Sequence, residues 1–362
     1  MRSLVEEALA RTKKEEKIPA PPSDVDEELK KILEGLKTDI KIIGLGGGGS
    51  NTISRLVEEG VIGAELYAAN TDAQHLLMTR SPKKILLGRR KTKGLGAGAR
   101  PEIGEESARE SDEELRKLLE GTDICMLTCG LGGGTGTGAI VHMAKLAKEA
   151  GALTVAFTTL PFKGEGLSRM ENAEWGLHRL KTTADTVITI PNDKLVELYP
   201  RLPLNQAFKV ADELLMRSIK GLTEIITRPG LVNLDFNDLK TIMQGAGVAM
   251  IGMGESDAFG EERAIAATDK AIHSPLLDVD ISDAKGVLVN VVGGNDMTIS
   301  EAERVAEELQ SRVSKDAKII WGASVDPNIE NVLKVMVVVT GVKSSHIFGT
   351  KKSGEKGIEV IQ

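Results

Sequence analysis

Three short windows of this sequence, 44–49, 94–104 and 130–138, hold five, four and six of the 39 glycines in 362 residues. Ordinary chains carry roughly 7% glycine, so such clustering marks backbone that must come close to something. In the first window, Gly44-Leu-Gly-Gly-Gly-Gly49 joins an apolar run, IKIIGL, to an amphipathic stretch. Glycines there let backbone N–H groups approach an anion at the positive end of the following helix. Gly44, Gly46 and Gly49 satisfy G-x-G-x-x-G, with Glu65 about twenty residues on, as in a dinucleotide-binding turn. The same pattern also serves as a tight strand-to-helix turn with no ligand. The third window, Gly130-Leu-Gly-Gly-Gly-Thr-Gly-Thr-Gly138, is more specific: a second cradle, now with two threonine hydroxyls as donors. No lysine follows it, so it is not the G-x-x-x-x-G-K-[ST] loop. With the middle loop, Gly94-Leu-Gly-Ala-Gly-Ala-Arg100, these cradles suggest a ligand with several phosphates held on several sides.

Other residue pairs carry weaker signals. Glu165 and Arg169 stand at i, i+4 on one helix face, the spacing of a surface ion pair worth under ~1 kcal/mol. Phe208 and Asp212 are also four apart; read bare, Phe208 is core and Asp212 a solvated face. Asn233-Leu-Asp235-Phe-Asn-Asp238 echoes a calcium loop, but Asp238 and Gln244 stand where that loop needs Gly and Glu. Asp235 or Asn237 also suits a helix N-cap. Cys125 and Cys129, with five scattered His, are too few for a disulfide framework or a zinc site and read as small buried thiols. No metal site is expected in the chain itself.

These residues need a frame to position them. From Asp39, the strands IKIIGL, ELYAAN, KKILLG, DICMLTC, LTVAFTTL and TVITI alternate with amphipathic stretches. Helices are expected at Thr52–Glu59, Ile103–Glu120, Gly138–Ala150 and Gly166–Lys181. That alternation predicts an α/β fold with a Rossmann-like, mostly parallel sheet covered on both faces. A long helix over Leu204–Thr227 follows and stops at Arg228-Pro229-Gly230. Beyond it, helices at Asp238–Met243, Glu261–His273 and Ser300–Val313 mix with the strands VAMIGMG, GVLVNVVGG, AKIIWGA and VLKVMVVVTG. This second unit is a smaller α+β domain.

Composition closes off several classes. The 46 basic and 53 acidic residues give a net charge of −7, against a nucleic-acid coat, and 3% aromatics argue against a base-stacking platform. No apolar run approaches the ~20 residues of a membrane span, and Met1–Lys17 lacks a signal-peptide core. A cytoplasmic protein is expected, with no nucleic acid bound and no direct membrane insertion.

The motifs GLGGGGSN, NTDAQ, GLGAGA, GGGTGTG, PF..EG..RM, IPNDKL and NLDFNDL occur in this order between Asp39 and Val342. Together they resemble FtsZ, the tubulin-like cell-division GTPase family of bacteria and archaea. GGGTGTG is closer to FtsZ than to the GGGTGSG of tubulins. The tail has no obvious version of the bacterial partner-binding peptide, which fits an archaeal member. Residues 1–38, charged and punctuated by Pro19, Pro21 and Pro22, read as an extension with a lead-in helix, and the resemblance implies a GTP-binding domain over 39–203. A central helix over 204–230, a C-terminal α+β domain over 231–342 and a tail over 343–362 complete the expected organisation.

Residue by residue, the resemblance implies a phosphate loop at Gly47, Gly48, Gly49, Ser50 and Asn51, and a nucleotide-proximal loop at Thr71 and Asp72. It turns Gly96, Ala97, Gly98 and Ala99 toward the γ-phosphate and makes Gly133, Gly134, Thr135, Gly136 and Thr137 the signature loop. Ser50 stands where many members carry Gly or Asn. Arg100 replaces the usual Asn, either to stabilise phosphate charge or as a solvated surface group. Glu165 and Arg169 become ribose and phosphate contacts, and Asn192 a ribose contact. Phe208 is placed on the base and Asp212 on the guanine edge. A carboxylate there accepts from guanine N1–H and N2–H but would meet the acceptor N1 of adenine. Asn233, Asp235 and Asp238 fall on the loop that meets the nucleotide of the next subunit, where the acidic pair orients the attacking water while Mg²⁺ bridges the phosphates.

The expected function is therefore a filament-forming GTPase of cell division, binding GTP and GDP with Mg²⁺ and hydrolysing GTP between head-to-tail subunits at the division site. Expected partners are further copies of itself, a membrane-tether or division protein, and a related FtsZ. The alternatives are a non-hydrolysing GTP-binding scaffold and, from the first window alone, an NAD-type oxidoreductase.

Overall fold

A computed structural model describes residues 38–342, apart from 199–200, 202, 228–234 and 278. The extension and lead-in helix over 1–37, the tail over 343–362, Arg228-Pro229-Gly230 and Asn233 lie outside the described residues. The chain enters through β1 (Ile40–Leu45), all six residues of which are buried, as an apolar run in a sheet covered on both faces must be. Then follow α1 (Gly46–Glu58), β2 (Glu65–Asn70), α2 (Ala73–Met78), β3 (Lys83–Leu86), α3 (Pro101–Glu110), α4 (Asp112–Leu119) and β4 (Ile124–Gly130). Next come α5 (Gly134–Glu149), β5 (Leu153–Leu160), α6 (Leu167–Thr183), β6 (Thr186–Pro191), α7 (Asn192–Leu198) and the long α8 (Leu204–Thr227). The last elements are α9 (Phe236–Met243), β7 (Gly247–Ser256), α10 (Glu261–Ile272), β8 (Gly286–Gly293), α11 (Ile299–Arg312), β9 (Lys318–Val325) and β10 (Leu333–Thr340).

The strands make one ten-stranded sheet in the order β3-β2-β1-β4-β5-β6-β7-β10-β8-β9. All neighbours are parallel except β10, which runs antiparallel between β7 and β8. Side chains alternate between the two faces. In β4, Cys125, Leu127 and Cys129 pack with α3–α6, while Ile124 and Met126 pack with α1, α8 and α9. Fully burying each such Leu or Ile contributes roughly 1.5–3 kcal/mol. The central helix α8 serves both halves through Leu215, Ile219 and Leu222, which are buried with Ile53 of α1 and Leu288 of β8.

The α/β expectation holds, and α8 spans the expected residues. The details that differ have local causes. The single helix expected over Ile103–Glu120 is two, because Ser111 leaves helical geometry and Asp112, Glu113 and Glu114 suit the positive end of a new helix. α1 and α5 begin at Gly46 and Gly134, earlier than the expected Thr52 and Gly138. Glycines carry no apolar period, so the first turn of each helix is hidden inside its window. The second unit has no separate sheet: β7 extends the first through Thr186↔Gly247, Val187↔Val248 and Ile188↔Ala249.

Candidate functional site

The partial order β3-β2-β1-β4-β5-β6 reverses between β1 and β4, and ligands of such sheets bind at the strand C-termini beside that point. The chain leaves β1 into the first glycine window and β4 into the third, so the two loops emerge side by side. Gly46, at φ +69°, needs glycine twice over: a Cβ there would also sit 2.7 Å from the Gly136 nitrogen. Both helices that follow, α1 and α5, open with no side-chain cap and no acidic residue in the first turn. Their positive ends border a cleft of about 590 Å³, an anion site by construction.

Gly47 and Gly133 line this cleft, and a Cβ on either would meet nothing within 4 Å. Neither glycine is required by the protein's own packing; each keeps open the space that a ligand backbone or phosphate would fill. Gly48, Asn51, Gly134, Thr135 and Gly136 line the same wall, and Gly96, Ala97 and Gly98 face it from the middle loop. The Gly134 N–H donates to Gly98 O at 3.0 Å, which locks these two loops together.

The other end of the cleft has a different chemistry. Phe208 meets Phe162 edge-on, ring centroids 5.0 Å apart, and remains 38% exposed. Asp212 is pushed up to about 6 by burial, with Arg55 pulling the other way. Asn192 is 4% exposed, yet its Oδ1 has no hydrogen-bond partner among the described residues. A buried acceptor left in that state costs free energy until a donor arrives. Arg169 donates to Glu165 at 2.6 Å, and the other Glu165 oxygen accepts from Phe162 N at 2.9 Å, so the ion pair also closes the turn before α6. Asp72, also in the cleft wall, accepts from His75 N at 2.9 Å and caps α2.

Several expected site residues are not part of the wall. Gly49 is needed because a Cβ would strike Thr128 O. Ser50 is fully buried, its Oγ without a partner among the described residues. Thr71 shares a 2.6 Å hydrogen bond with Thr135, Thr137 Oγ1 accepts from Gly132 N at 2.9 Å, and Ala99 O accepts from Asn172. Arg100 is exposed and outside the wall. The glycines Gly104 and Gly138 serve packing, since a Cβ on them would strike Gly134 O and Pro101 O. Asp235 and Asp238 lie outside the cleft altogether. They form a reciprocal cap at the start of α9, Asp238 N donating to Asp235 Oδ1 at 2.8 Å and Asp235 N to Asp238 Oδ2 at 3.4 Å.

Sequence reasoning missed Asn70, His75, Leu95, Thr159, Pro161 and Ala211 in the wall. Asn70 and Thr159 stand at the C-terminal ends of β2 and β5, a position that strand assignment alone could have flagged. The cysteines are free and fully buried, and burial pushes the Cys125 thiol up to about 12 and Cys129 higher, so both are inert. Among the described residues, no group of three or more His, Cys, Asp or Glu is placed to hold a metal ion, and no helix is long and apolar enough to cross a membrane.

A doubly wound sheet with two uncapped helix ends at its switch point defines a phosphate-binding α/β protein of the nucleotide-binding class. Residues 39–200 match the GTPase domain of the Tubulin/FtsZ family, and 247–343 match the C-terminal domain of the FtsZ family. The chain belongs to the FtsZ family of tubulin-like GTPases. It is 57% identical over 354 residues to cell division protein FtsZ 1 of Archaeoglobus fulgidus, covering 97% of this chain and 96% of that protein. FtsZ of Methanothermobacter thermautotrophicus is 51% identical over 355 residues, covering 98% and 93%. An empty FtsZ dimer from M. jannaschii superposes with a TM-score of 0.84 at 51% identity, covering 88% of this chain and 93% of that one. CetZ2 of Haloferax volcanii, solved as a GTPγS-bound protofilament, shares the fold at a TM-score of 0.73 and 22% identity, covering 84% and 94%. The protein is a GTP-hydrolysing member of the cell-division cytoskeleton.

Proposed function

We propose that GTP lies along this cleft and that hydrolysis is completed by Asp235 and Asp238 of the next subunit in a head-to-tail filament. The triphosphate rests on Gly47, Gly48 and Asn51, on Gly96–Gly98 and on Gly133–Gly136, the ribose beside Glu165, Arg169 and Asn192, and guanine between Phe208 and Asp212. In this reading the GTP-binding domain spans 39–203, the central helix 204–230 and the C-terminal domain 231–342.

One observation carries the split site. Of the three carboxylates in the cleft wall, Asp72 caps α2 with Oδ1 and in this reading turns its other oxygen to the nucleotide's magnesium, Glu165 spends one oxygen on Arg169 and the other on Phe162 N, and Asp212 serves the base. A single chain thus has a phosphate cradle without a spare carboxylate to orient water. The pair at the start of α9, Asp235 exposed and Asp238 half-buried, has one: in each aspartate one oxygen holds the reciprocal cap and the other remains for a water. Phosphoryl transfer depends on such positioning and on charge stabilisation by the cradle N–H groups. A head-to-tail contact does not close on itself and so propagates as a filament. The dimer and protofilament in which related proteins were solved support this reading.

The donor set suits a magnesium ion that arrives on the nucleotide, since Mg²⁺ takes phosphate oxygens, waters and one or two protein oxygens. Asp72 and Thr135 offer the carboxylate and hydroxyl oxygens in the wall. The ion would neutralise charge on the β- and γ-phosphates. Attachment to the membrane at the division site would come through a separate tether or division protein, with a related FtsZ as a further partner.

Phosphate release from GTP, measured over a series of protein concentrations with pelleting at each point, tests the proposal. Rate and pellet should rise together above a threshold. Release that stays linear in protein with nothing in the pellet would overturn the split site.

A further inference from the structure

Asn172 stands on α6 outside every glycine window, and its side chain does something no motif announces. The Nδ2 amide donates to Ala99 O at 3.0 Å and to Gly132 O at 3.3 Å. One side chain therefore holds a carbonyl of the middle loop and a carbonyl of the third window together. The same helix touches the third window again: a Cβ on Gly132, at φ +103°, would lie 2.9 Å from Arg169 O. Further along α6, Arg179 forks onto Glu105 of α3, donating to Oε2 and, at 2.9 Å, to Oε1, while its guanidinium stacks on Trp175 at 4.6 Å. Glu105 is nearly buried, and Arg179, with Arg109, holds its carboxyl below the usual carboxylate range against the cost of burial. The middle loop leads directly into α3. Its C-terminal side is thus tied to α6 twice, by Asn172 at Ala99 and by Arg179 at Glu105 of the helix that follows.

We propose that Asn172 is a positioning residue for γ-phosphate recognition, joining the Gly96–Ala99 loop to the Gly130–Gly134 loop so that the two act as one body. This rests on the reading of Gly96–Ala99 as the loop that faces the γ-phosphate. An amide with two N–H groups suits two carbonyl oxygens; a carboxylate or an alkyl group in its place leaves both unpaired. Loosening this link should affect the ligand that needs both loops and spare one that needs only the third window and the first.

The test is binding of GTPγS and of GDP to the full chain, with thermal unfolding, for the wild type, Asn172→Leu and Asn172→Asp. Both variants should bind GTPγS about fivefold to tenfold more weakly, the effect of one or two lost hydrogen bonds. GDP affinity should stay within about twofold, and the melting temperature should hold. An equal loss for both nucleotides, or no loss for either, would overturn the role of Asn172. A wild type that binds neither nucleotide would instead overturn the reading of the cleft, and the two failures are distinct.

Discussion

Phe208 stands edge-on to Phe162, their planes at 89°, so one aromatic ring props the other upright at the mouth of the cleft. A ring braced on its edge leaves a face for a flat ligand. Phe208→Ala should therefore weaken GDP binding about tenfold, the low end of the roughly 1–3 kcal/mol for base–aromatic stacking. Titration of GDP into the variant checks this, and an unchanged affinity would remove Phe208 from the base site.

Asp212 gives a pH dependence with a definite sign. Burial raises the carboxyl to about 6 in the free protein, and in the proposed binding mode guanine is held by the ionised form. Affinity should be flat above about pH 7 and fall as pH drops through 6, approaching tenfold per pH unit. Asp212→Asn should bind GTP at least tenfold more weakly and lose this pH dependence, since hydrogen bonds to a charged group are worth about 1.5–3 kcal/mol. Calorimetric titration between pH 5 and pH 8 decides it; the same slope in wild type and variant would assign the titration elsewhere.

The glycines divide into two functional sets. Gly47→Ala and Gly133→Ala meet no atom of the protein, so folding should be unharmed while nucleotide binding drops at least tenfold. Gly104→Ala and Gly138→Ala drive a methyl group into backbone carbonyls and should cost about 1–3 kcal/mol of stability or more. Melting curves beside nucleotide titrations separate the sets. A large stability loss at Gly47 would refute the division.

A split site permits complementation. Asp238→Ala should bind GTP normally yet release no phosphate, and Gly133→Ala should fail at binding. Mixed, they should recover turnover, because the intact cleft of one meets the intact aspartates of the other. Phosphate release that stays at the sum of the two separate variants would count against shared catalysis. Asp235→Ala should also cost about 0.5–2 kcal/mol of stability, since Asp235 caps α9.

The frame was legible in the sequence where the chain itself carries a period. The strands from IKIIGL to TVITI and the long helix over Leu204–Thr227 follow from apolar spacing, and the glycine windows mark the two cradles. What escaped was of another kind. Helix starts at Gly46 and Gly134 lack side chains to report a period, and the break at Ser111 sits within an unbroken charged run. The pairing of β6 with β7 joins Ile188 to Ala249, a register set by contacts sixty residues apart along the chain rather than by local pattern. Asn172 and His75 belong to no motif, and only the fold brings them to the phosphate loops.

The place of β10 in the sheet has a consequence for how the protein is made. β10 is the last strand described, yet it lies inside the sheet, pairing eight residues with β7 and eight with β8. A ribosome delivers the chain from its N-terminus, so β1 to β6 can assemble as they emerge. β7 and β8 face an empty slot until Leu333–Thr340 is synthesised. A chain that stops short of Leu333 keeps both of those edges open, and open edges are templates for association with other chains. The nucleotide half can thus be complete while the whole polypeptide is still hazardous to its neighbours, and translation must finish before the molecule becomes safe.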